Sequence, residues 1–269
     1  MRTLLLRIVV AAGVAVALVA ASCEFSGSFN GTESSLSVTN QSSTPNASAT
    51  GVWNGSDSVS GLSVTALINA AGLATFIRSD GVQFVGQVAT SGNTLAATVA
   101  GYSDFGTPFS DGSTYGSGAL NGTVMSGSAL SATLTFSTSG NTRMSGTWSL
   151  TFEALPNESS SVAAISGNYS DTATAAVLSI NSAGAMTGQN PANQCVLNGS
   201  ITTNDSNHDV YQVSYSYGDC TGAYAVLNGV EFTGLASLNS GASPAELTMA
   251  VTGSSPAGKY ALVSSLIGN

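Results

Sequence analysis

The sequence predicts an all-β protein with two tandem antiparallel meander domains, each closing into a small barrel of about eight strands. Three observations predict this class. Only 7% of the 269 residues are charged, whereas 43% are hydrophobic and small polar residues are abundant, which is typical of short strands with hydroxylated outer faces. Apolar residues recur at every second position, as half-buried strands require. Short motifs also recur at a spacing of about 110 residues, which indicates an internal repeat.

The first element, residues 1–22, resembles a bacterial lipoprotein signal peptide. Arg2 and Arg7 precede an apolar run that is too short to span a bilayer comfortably and that ends in Ala20-Ala21-Ser22-Cys23. This resemblance implies that Cys23 becomes the lipidated first residue of the mature protein, because the diacylglycerol is attached through a thioether and only a thiol supplies that sulfur. The alternative is an ordinary cleaved signal, since the small residues before Cys23 also suit the general signal peptidase.

The second element, residues 23–49, is predicted to be a flexible tether behind the lipidated cysteine. It is rich in Ser, Thr and Asn and has few large apolar groups. Residue Glu24 is not the Asp that retains lipoproteins at the inner membrane in enterobacteria. We therefore expect a cell-envelope protein that is lipid-anchored in the outer membrane and faces either the periplasm or the cell surface.

The remaining elements are a first barrel repeat (50–155), a linker (156–162) and a second barrel repeat (163–269). Five short motifs recur in the same order in the two repeats, which predicts a duplication. The matched segments are Gly51-Val52-Trp53 with Gly167-Asn168-Tyr169, the segment ending at Gly72 with that ending at Gly184, Phe84-Val85-Gly86 with Leu197-Asn198-Gly199, Leu120-Asn121-Gly122 with Leu227-Asn228-Gly229, and Gly146-Thr147-Trp148 with Gly258-Lys259-Tyr260.

Turn signals divide each repeat into about eight strands in simple chain order. Such a meander closes most easily into a barrel because closure removes exposed strand edges, although an open sandwich is the alternative. The first and last strands, which carry aromatic residues, are then expected to meet at the seam. The inward candidates are large, which favours a filled interior over a cavity; they are Phe84, Phe136, Trp148 and Phe152 in the first repeat and Leu197, Tyr211, Val213 and Tyr215 in the second.

The three cysteines divide into one lipid anchor and one disulfide. With Cys23 lipidated, Cys195 and Cys220 remain as a pair in an oxidising compartment. Their disulfide would stabilise the fold by about 3 kcal/mol in the chain-entropy model. The repeat aligns the pair with Val82 and Phe105, which we expect to be neighbours. Cys220 lies out of phase with the preceding strand, so we also expect a bulge there.

These features together resemble uncharacterised proteobacterial lipoproteins with lipocalin-like or transferrin-binding-protein-like barrels. The resemblance rests on the lipobox, the Ser-rich tether, the repeated Gly-x-Trp/Tyr and Leu-Asn-Gly motifs and the two-cysteine strand pair. It implies a lipid anchor and tandem barrels over most of the mature chain. It implies no activity, and no functional residue is transferred from it.

The charge of the chain restricts its partners. The formal net charge is −9, and after signal cleavage the remaining strong cations are Arg78, Arg143 and Lys259. A nucleic acid would find almost nothing to neutralise its phosphates, so nucleic acid is excluded as a partner. The same shortage of cations argues against charge-driven binding to anionic lipid, so the protein would be held at the membrane by its acyl chains.

No catalytic, cofactor or metal site is predicted. The single histidine, His208, lies in a polar loop and is interpreted as a solvated loop residue rather than as a general base or a zinc ligand. Asp205 and Asp209 in the same loop lack the oxygen density that calcium requires. The unplaced carboxylates for a glycosidase pair are Asp104, Asp111, Glu153 and Glu231, and no spacing brings two of them together.

The sequence therefore predicts a non-catalytic binding or structural module of the envelope or cell surface, whose partner is an envelope protein or a small hydrophobic ligand. The first alternative is a lipocalin-like carrier of a small hydrophobic ligand, because an eight-stranded barrel is just wide enough to hold one. The second alternative is an envelope hydrolase, which would have to recruit His208 from its loop.

Overall fold

The structure is a computed structural model that describes residues 45–154, 160–203, 205 and 207–269. These residues form two closed antiparallel barrels of eight strands each, as the sequence predicts. Both barrels belong to one compact unit, Thr44–Asn269. The predicted signal peptide and Cys23 lie outside the described residues, as do most of the tether and part of the linker.

The first barrel is a meander in which each strand pairs with the next. Its last strand returns to its first through five residue pairs, from Trp53↔Phe152 to Asp57↔Trp148. The aromatic-bearing first and last strands thus meet at the seam, as predicted. The strands are β1 (Gly51–Asp57), β2 (Ser63–Ile68), β3 (Leu73–Arg78), β4 (Gln83–Ser91), β5 (Thr94–Tyr102), β6 (Tyr115–Met125), β7 (Ala129–Thr138) and β8 (Arg143–Phe152).

The second barrel follows the same path after a one-turn helix, α1 (Val162–Ile165). The side chain of Ser161 caps this helix by accepting a hydrogen bond from the Ala164 N–H. A 3-10 helix, Gly222–Leu227, interrupts the connection between β13 and β14. The strands are β9 (Gly167–Ser170), β10 (Val177–Ile180), β11 (Ala185–Asn190), β12 (Cys195–Thr203), β13 (Val210–Gly218), β14 (Glu231–Asn239), β15 (Glu246–Ser255) and β16 (Gly258–Gly268).

The interior of the first barrel is filled by aromatic side chains. The rings of Phe76 and Phe84 lie 5.1 and 5.6 Å from that of Trp148, and Phe136 meets Phe84 edge to face at 5.3 Å. These four side chains are buried, and Phe152 packs against them while partly exposed. The predicted inward residues of the second repeat, Leu197, Tyr211, Val213 and Tyr215, are buried as well. Period-two alternation therefore identified the interior correctly.

Two glycines make room for one of these rings. A Cβ atom at Gly101 or at Gly116, which are paired on β5 and β6, would overlap the ring of Phe136. Phe136 thus covers bare backbone where two side chains would otherwise point inward. The missing side chains let a small barrel hold a large aromatic residue at close packing.

Matching hydrogen bonds in the two barrels confirm the repeat. The indole N–H of Trp53 donates to the carbonyl oxygen of Ala49 at 2.8 Å, and the hydroxyl of Tyr169 donates to that of Ile165, also at 2.8 Å. Each aromatic residue thus bonds the backbone four residues earlier. The Gly-x-Trp/Tyr motifs that begin the two repeats therefore have the same structural role. Two of the other predicted matches are wrong: Leu120-Asn121-Gly122 lies on β6 but Leu227-Asn228-Gly229 lies in and after the 3-10 helix before β14, and strand pairing matches Tyr260 with Met144 rather than with Trp148.

A second matched pair is the aspartate that ends the first strand of each barrel. Asp57 and Asp171 each accept hydrogen bonds from the backbone N–H two residues on and from the hydroxyl three residues on, which closes a turn. The donors are Val59 (3.0 Å) and Ser60 (2.7 Å) for Asp57, and Ala173 (2.8 Å) and Thr174 (2.6 Å) for Asp171.

Asp57 is expected to make the first barrel sensitive to acid. Its side chain is only 1% exposed, and burial alone would raise its pKa. Hydrogen bonds from Ser60, Val59 and Thr147, together with the charge of Arg78, instead hold the pKa of Asp57 below its usual value. This lowered pKa stabilises the fold above the unfolded-state pKa of about 3.9, and the stabilisation is lost as the pH falls through the folded-state pKa.

The measurement is the free energy of urea unfolding from about pH 6 to about pH 2. We expect Asp57→Asn to be less stable than the wild type near neutral pH and to lose less stability on acidification. Glu231→Gln, a change at an exposed residue of the second barrel, is the control and should keep the wild-type slope. Parallel curves for Asp57→Asn and the wild type would contradict this role of Asp57.

The two barrels share an apolar interface formed by outward-facing side chains. Residues of β1 to β3 pack against residues of β13 to β15 in a third buried cluster, separate from the two barrel interiors. Its buried members are Val52, Leu67, Ile77, Val210, Leu235 and Ala250. The barrels are therefore packed on one another over a dry surface rather than joined only by the linker.

Polar contacts fix the last strand of the second barrel against the first barrel. The buried side-chain amide of Gln83 donates to the carbonyl oxygen of Leu262 on β16 at 2.9 Å. At the start of β16, the ammonium group of Lys259 lies 3.3 Å from the centroid of the Tyr115 ring. The first barrel thus supports β16 from outside.

Candidate functional site

The seam of the second barrel is shorter than that of the first. Strand β9 has four residues and pairs with β16 through two residue pairs near the end of β16, against five pairs between β1 and β8. The strand pairing matches Trp148–Phe152 of β8 with Ser264–Gly268 of β16, because Trp53 pairs with Phe152 and Tyr169 pairs with Gly268. Among the described strands, Tyr260–Ser264 pair with β15 alone. A side opening therefore lies between β16 and the strands β9 and β10.

The opening follows from a shortening of the first hairpin by two residues in each of its two strands. The turn aspartate comes four residues after Trp53 in the first barrel but two residues after Tyr169 in the second. Strand β10 likewise has four residues where β2 has six. Because strand side chains alternate with a period of two, the loss of two residues keeps each side chain on its face while it shortens the seam.

One side-chain difference enlarges the space behind the opening. In the first barrel the indole of Trp148 on β8 lies 5.1 Å from the ring of Phe76 and 5.6 Å from that of Phe84. The strand pairing places Ser264 at the position of Trp148 and Gly268 at that of Phe152. Ser264 lines the opening, so a hydroxymethyl group stands where the first barrel has an aromatic ring.

The space is a cavity of about 230 Å³ that opens to the side of the second barrel. It is larger than a cavity of about 150 Å³ that holds benzene, and smaller than the range of about 300–1,000 Å³ typical of drug-sized ligands. Its apolar walls come from Val177, Leu178, Leu197, Leu227, Met249, Leu262, Val263 and Leu266. Its polar and aromatic groups include Asp171, Gln189, Asn190, Asn193, Tyr217, Tyr224, Ser264 and Ser265.

A disulfide anchors the segment that covers one end of this cavity. We call residues 219–230 the capping segment; its Leu227 is fully buried against the core and, with Tyr224, lines the cavity. Cys220 in this segment is bonded to Cys195 on β12, which also lines the cavity. The side chain of Asn228 closes the segment through hydrogen bonds to the backbone N–H and carbonyl of Cys220 at 2.8 and 3.1 Å.

The expected bulge before Cys220 is not how the chain reaches Cys195. Strand β13 ends at Gly218, and Asp219 follows with a φ of 60°. This left-handed residue turns the chain out of the sheet, so Cys220 no longer obeys the alternation of the strand. The out-of-phase position of Cys220 thus marks the end of β13 rather than a bulge within it.

The expected contact between Val82 and Phe105 is also corrected. Val82 is buried in the first core cluster, whereas Phe105 packs against the core cluster of the second barrel. The ring of Phe105 lies 5.1 Å from that of Tyr224 in the capping segment and 6.0 Å from that of Tyr260 on β16. A loop of the first barrel therefore supports both elements that frame the cavity.

An acidic group lies at the mouth of the cavity. Asp171 lines it, and hydrogen bonds from Thr174 and the Ala173 backbone lower the pKa of its carboxyl group. Ser265, also at the mouth, donates to the carboxylate of Glu246. Deeper in the barrel, burial raises the pKa of Tyr217 and that of Tyr215, so both phenols are neutral at physiological pH.

The single histidine lies away from this cavity, at the junction with the first barrel. His208 Nδ1 lies 2.6 Å from a carboxylate oxygen of Asp205, and its side chain is 28% exposed. The interpretation as a freely solvated loop residue is therefore incomplete, because His208 also lines a small cleft with Gly51 and Phe152 of the first barrel. Asn204 and Ser206 of the same loop lie outside the described residues.

The remaining acidic candidates have separate local partners. Asp111 accepts hydrogen bonds from Ser113 and Thr138 and so ties the loop before β6 to the end of β7. Glu153 accepts from the side-chain amide of Asn54. In the described part of the chain, no three or more His, Cys, Asp or Glu side chains are grouped so that they could hold a metal ion.

Comparison with known sequences identified no relative of this chain. No protein-family model matches the chain, and no curated protein matches it in sequence. Within the described ranges, no helix has the length and apolar character needed to cross a membrane. The cavity of the second barrel is thus the best-developed candidate site that the described residues offer.

The signal that could have revealed the site was present in the sequence. The spacing from aromatic residue to turn aspartate differs by two between the repeats, and Ser264 replaces an aromatic residue at an inward position. Neither difference breaks the alternation of apolar and polar residues. Alternation by itself therefore gives no sign of either difference, and the large inward residues favour a filled interior for both barrels.

Proposed function

We propose that this protein is a cell-envelope lipoprotein that acts by binding rather than by catalysis, and that its second barrel holds a small ligand with an apolar body. The first barrel, with its filled interior, serves as a structural support for the second. Anchorage to the outer membrane through lipidated Cys23 belongs to the same proposal and is supported by the lipobox resemblance. The carrier function that was the alternative reading of the sequence thus becomes the preferred form of the binding module.

The observation that carries the proposal is the asymmetry between the two barrels. They share a strand order and matching hydrogen bonds, yet the first is sealed and filled whereas the second has a side opening into a space of about 230 Å³. A duplicated fold that needed only stability could fill both interiors in the same way. The second barrel instead has Ser264 where the first has the ring of Trp148, and its cavity is lined by aliphatic and polar side chains together.

The support from the first barrel also favours a preformed site. Gln83 holds β16 through the carbonyl oxygen of Leu262, and Phe105 packs on the capping segment. These contacts keep the edge of β16 apart from β10 without a partner strand. A protein whose cavity is already formed loses less conformational entropy on ligand binding than one whose cavity must form during binding.

The test uses the full-length protein in lipid nanodiscs and benzyl alcohol as a probe, with empty nanodiscs as the blank. Binding is followed by saturation-transfer NMR of the probe. We expect the wild type to bind and Ser264→Phe, which introduces an aromatic ring where the first barrel has Trp148, to lower the affinity at least about tenfold by filling the cavity. Met125→Phe adds the same ring at a 58% exposed position of the first barrel and should bind like the wild type.

Two outcomes would contradict the proposal. The first is a wild-type protein that shows no binding to benzyl alcohol beyond the blank. The second is equal binding by Ser264→Phe and the wild type, which would place the probe elsewhere. Circular dichroism of each variant establishes that a loss of binding is not a loss of fold.

A further inference from the structure

We infer that the ligand of the second barrel carries an uncharged or cationic polar end on its apolar body, and that an anionic amphiphile such as a carboxylate is rejected. This inference rests on the proposed ligand-binding function and specifies the chemical class of the ligand. It depends on where the described structure places its few charged side chains.

No cationic side chain lines the cavity among the described residues. Arg78 pairs with Asp80 on the first barrel, and Arg143 lies at the start of β8, also on the first barrel. Lys259 belongs to β16, but its ammonium group lies on the ring of Tyr115 in the first barrel. The cationic side chains that could pair with a carboxylate or phosphate ligand therefore all lie on the first barrel or pack against it.

The mouth of the cavity instead carries negative charge. Asp171 closes the turn after β9 and lines the opening, while Glu246 holds Ser265 on the adjoining edge of β16. The apolar body of a ligand would enter between these two edges, so its polar end would remain near the carboxylate of Asp171. A cationic end is attracted by this negative charge, and a neutral end can form hydrogen bonds there. An anionic end is repelled and also loses its hydration.

The depth of the cavity adds to the discrimination. Aliphatic side chains alternate with neutral polar ones along the walls, the phenol of Tyr217 lines the cavity, and Tyr215 is buried in the core cluster. A neutral phenol or amide can donate hydrogen bonds but offers no compensating charge. An anion drawn inward would thus be buried without a cationic partner, which is unfavourable.

Three probes with one ring and different ends test this inference: benzylamine, benzyl alcohol and benzoate, each titrated into the full-length protein in nanodiscs at neutral pH. We expect benzylamine and benzyl alcohol to bind and benzoate to bind at least about tenfold more weakly than benzylamine. Benzoate binding as tightly as benzylamine would overturn the inference while leaving the proposed function intact. Failure of all three probes would instead count against the proposed function.

Two variants locate the origin of the preference. Asp171→Asn keeps a carbonyl oxygen to close the turn but removes the charge, so the affinity ratio of benzylamine to benzyl alcohol should fall by about threefold, a change typical of an exposed ion pair. Gln189→Lys places a cation at an exposed position of the same mouth and should improve benzoate binding relative to benzylamine. Unchanged ratios in both variants would show that the mouth charges do not select the ligand.

Discussion

Replacing Cys195 and Cys220 together with alanine is expected to lower the free energy of unfolding of the second barrel by about 3 kcal/mol, the effect of opening a loop of this size. The bond joins β12 to the capping segment 219–230, and both line the cavity. Once the bond is lost, Leu227 and Tyr224 are held mainly by packing. We therefore expect weaker binding of benzyl alcohol as well as lower stability.

Urea unfolding of the full-length protein checks this result with two signals. Both tryptophans of the sequence, Trp53 and Trp148, are buried in the first barrel, so their fluorescence reports that barrel, whereas circular dichroism reports both. The double variant should shift the circular-dichroism transition more than the fluorescence transition. Reduction of the wild type with dithiothreitol should reproduce the shift, and the double variant should not respond to it. An unchanged urea midpoint in the double variant would contradict the stabilising role of the bond.

Replacing Cys23 with serine is expected to move the protein from the membrane fraction to the soluble fraction. A hydroxyl cannot form the thioether that holds the diacylglycerol, and each buried CH₂ of an acyl chain contributes about 0.8 kcal/mol to membrane binding. The two described barrels contain only three Lys or Arg residues, so they have no positive surface that could bind an anionic membrane. The loss of the chains should thus abolish anchorage rather than weaken it.

Fractionation of cells and the intact mass of the purified protein measure this effect. Wild-type protein should carry the mass of a lipid modification, and globomycin should make its unprocessed form accumulate. The Cys195→Ala/Cys220→Ala variant is the matched control, because it removes two thiols and should remain at the membrane. Should Cys23→Ser fractionate with the membrane at an unlipidated mass, the anchor would have to lie elsewhere.

Strand-level features of this fold were accessible from the sequence because they are local. Leu134 and Phe136 alternate with threonines on β7, and the structure buries them while their neighbours are exposed. Tyr211, Val213 and Tyr215 behave in the same way on β13. A period of two depends only on the pleat of one strand, so it is read directly from neighbouring residues.

The interface between the barrels had a local signal that alternation obscured. Val52 stands beside Trp53, and Leu67 stands between two other buried residues, so β1 and β2 carry apolar residues on both faces. A strand buried on both sides reads as a continuous apolar run. The run indicated that the outer face is covered, but it gave no information about which element covers it.

The sequence by itself determined the class of fold, the duplication, the identity of most interior residues and the pairing of Cys195 with Cys220. These depend on alternation, on turn residues and on the count of thiols. The tertiary structure decided that one barrel is sealed and the other is open, and that Phe105 crosses to its neighbour. The seam joins the first and last strands of each barrel, which are far apart in the chain. Its length depends on how many residues of these two strands lie in register. That register is set by the packing of all eight strands, and the loss of two residues from each of two paired strands changes the seam without altering the local pattern.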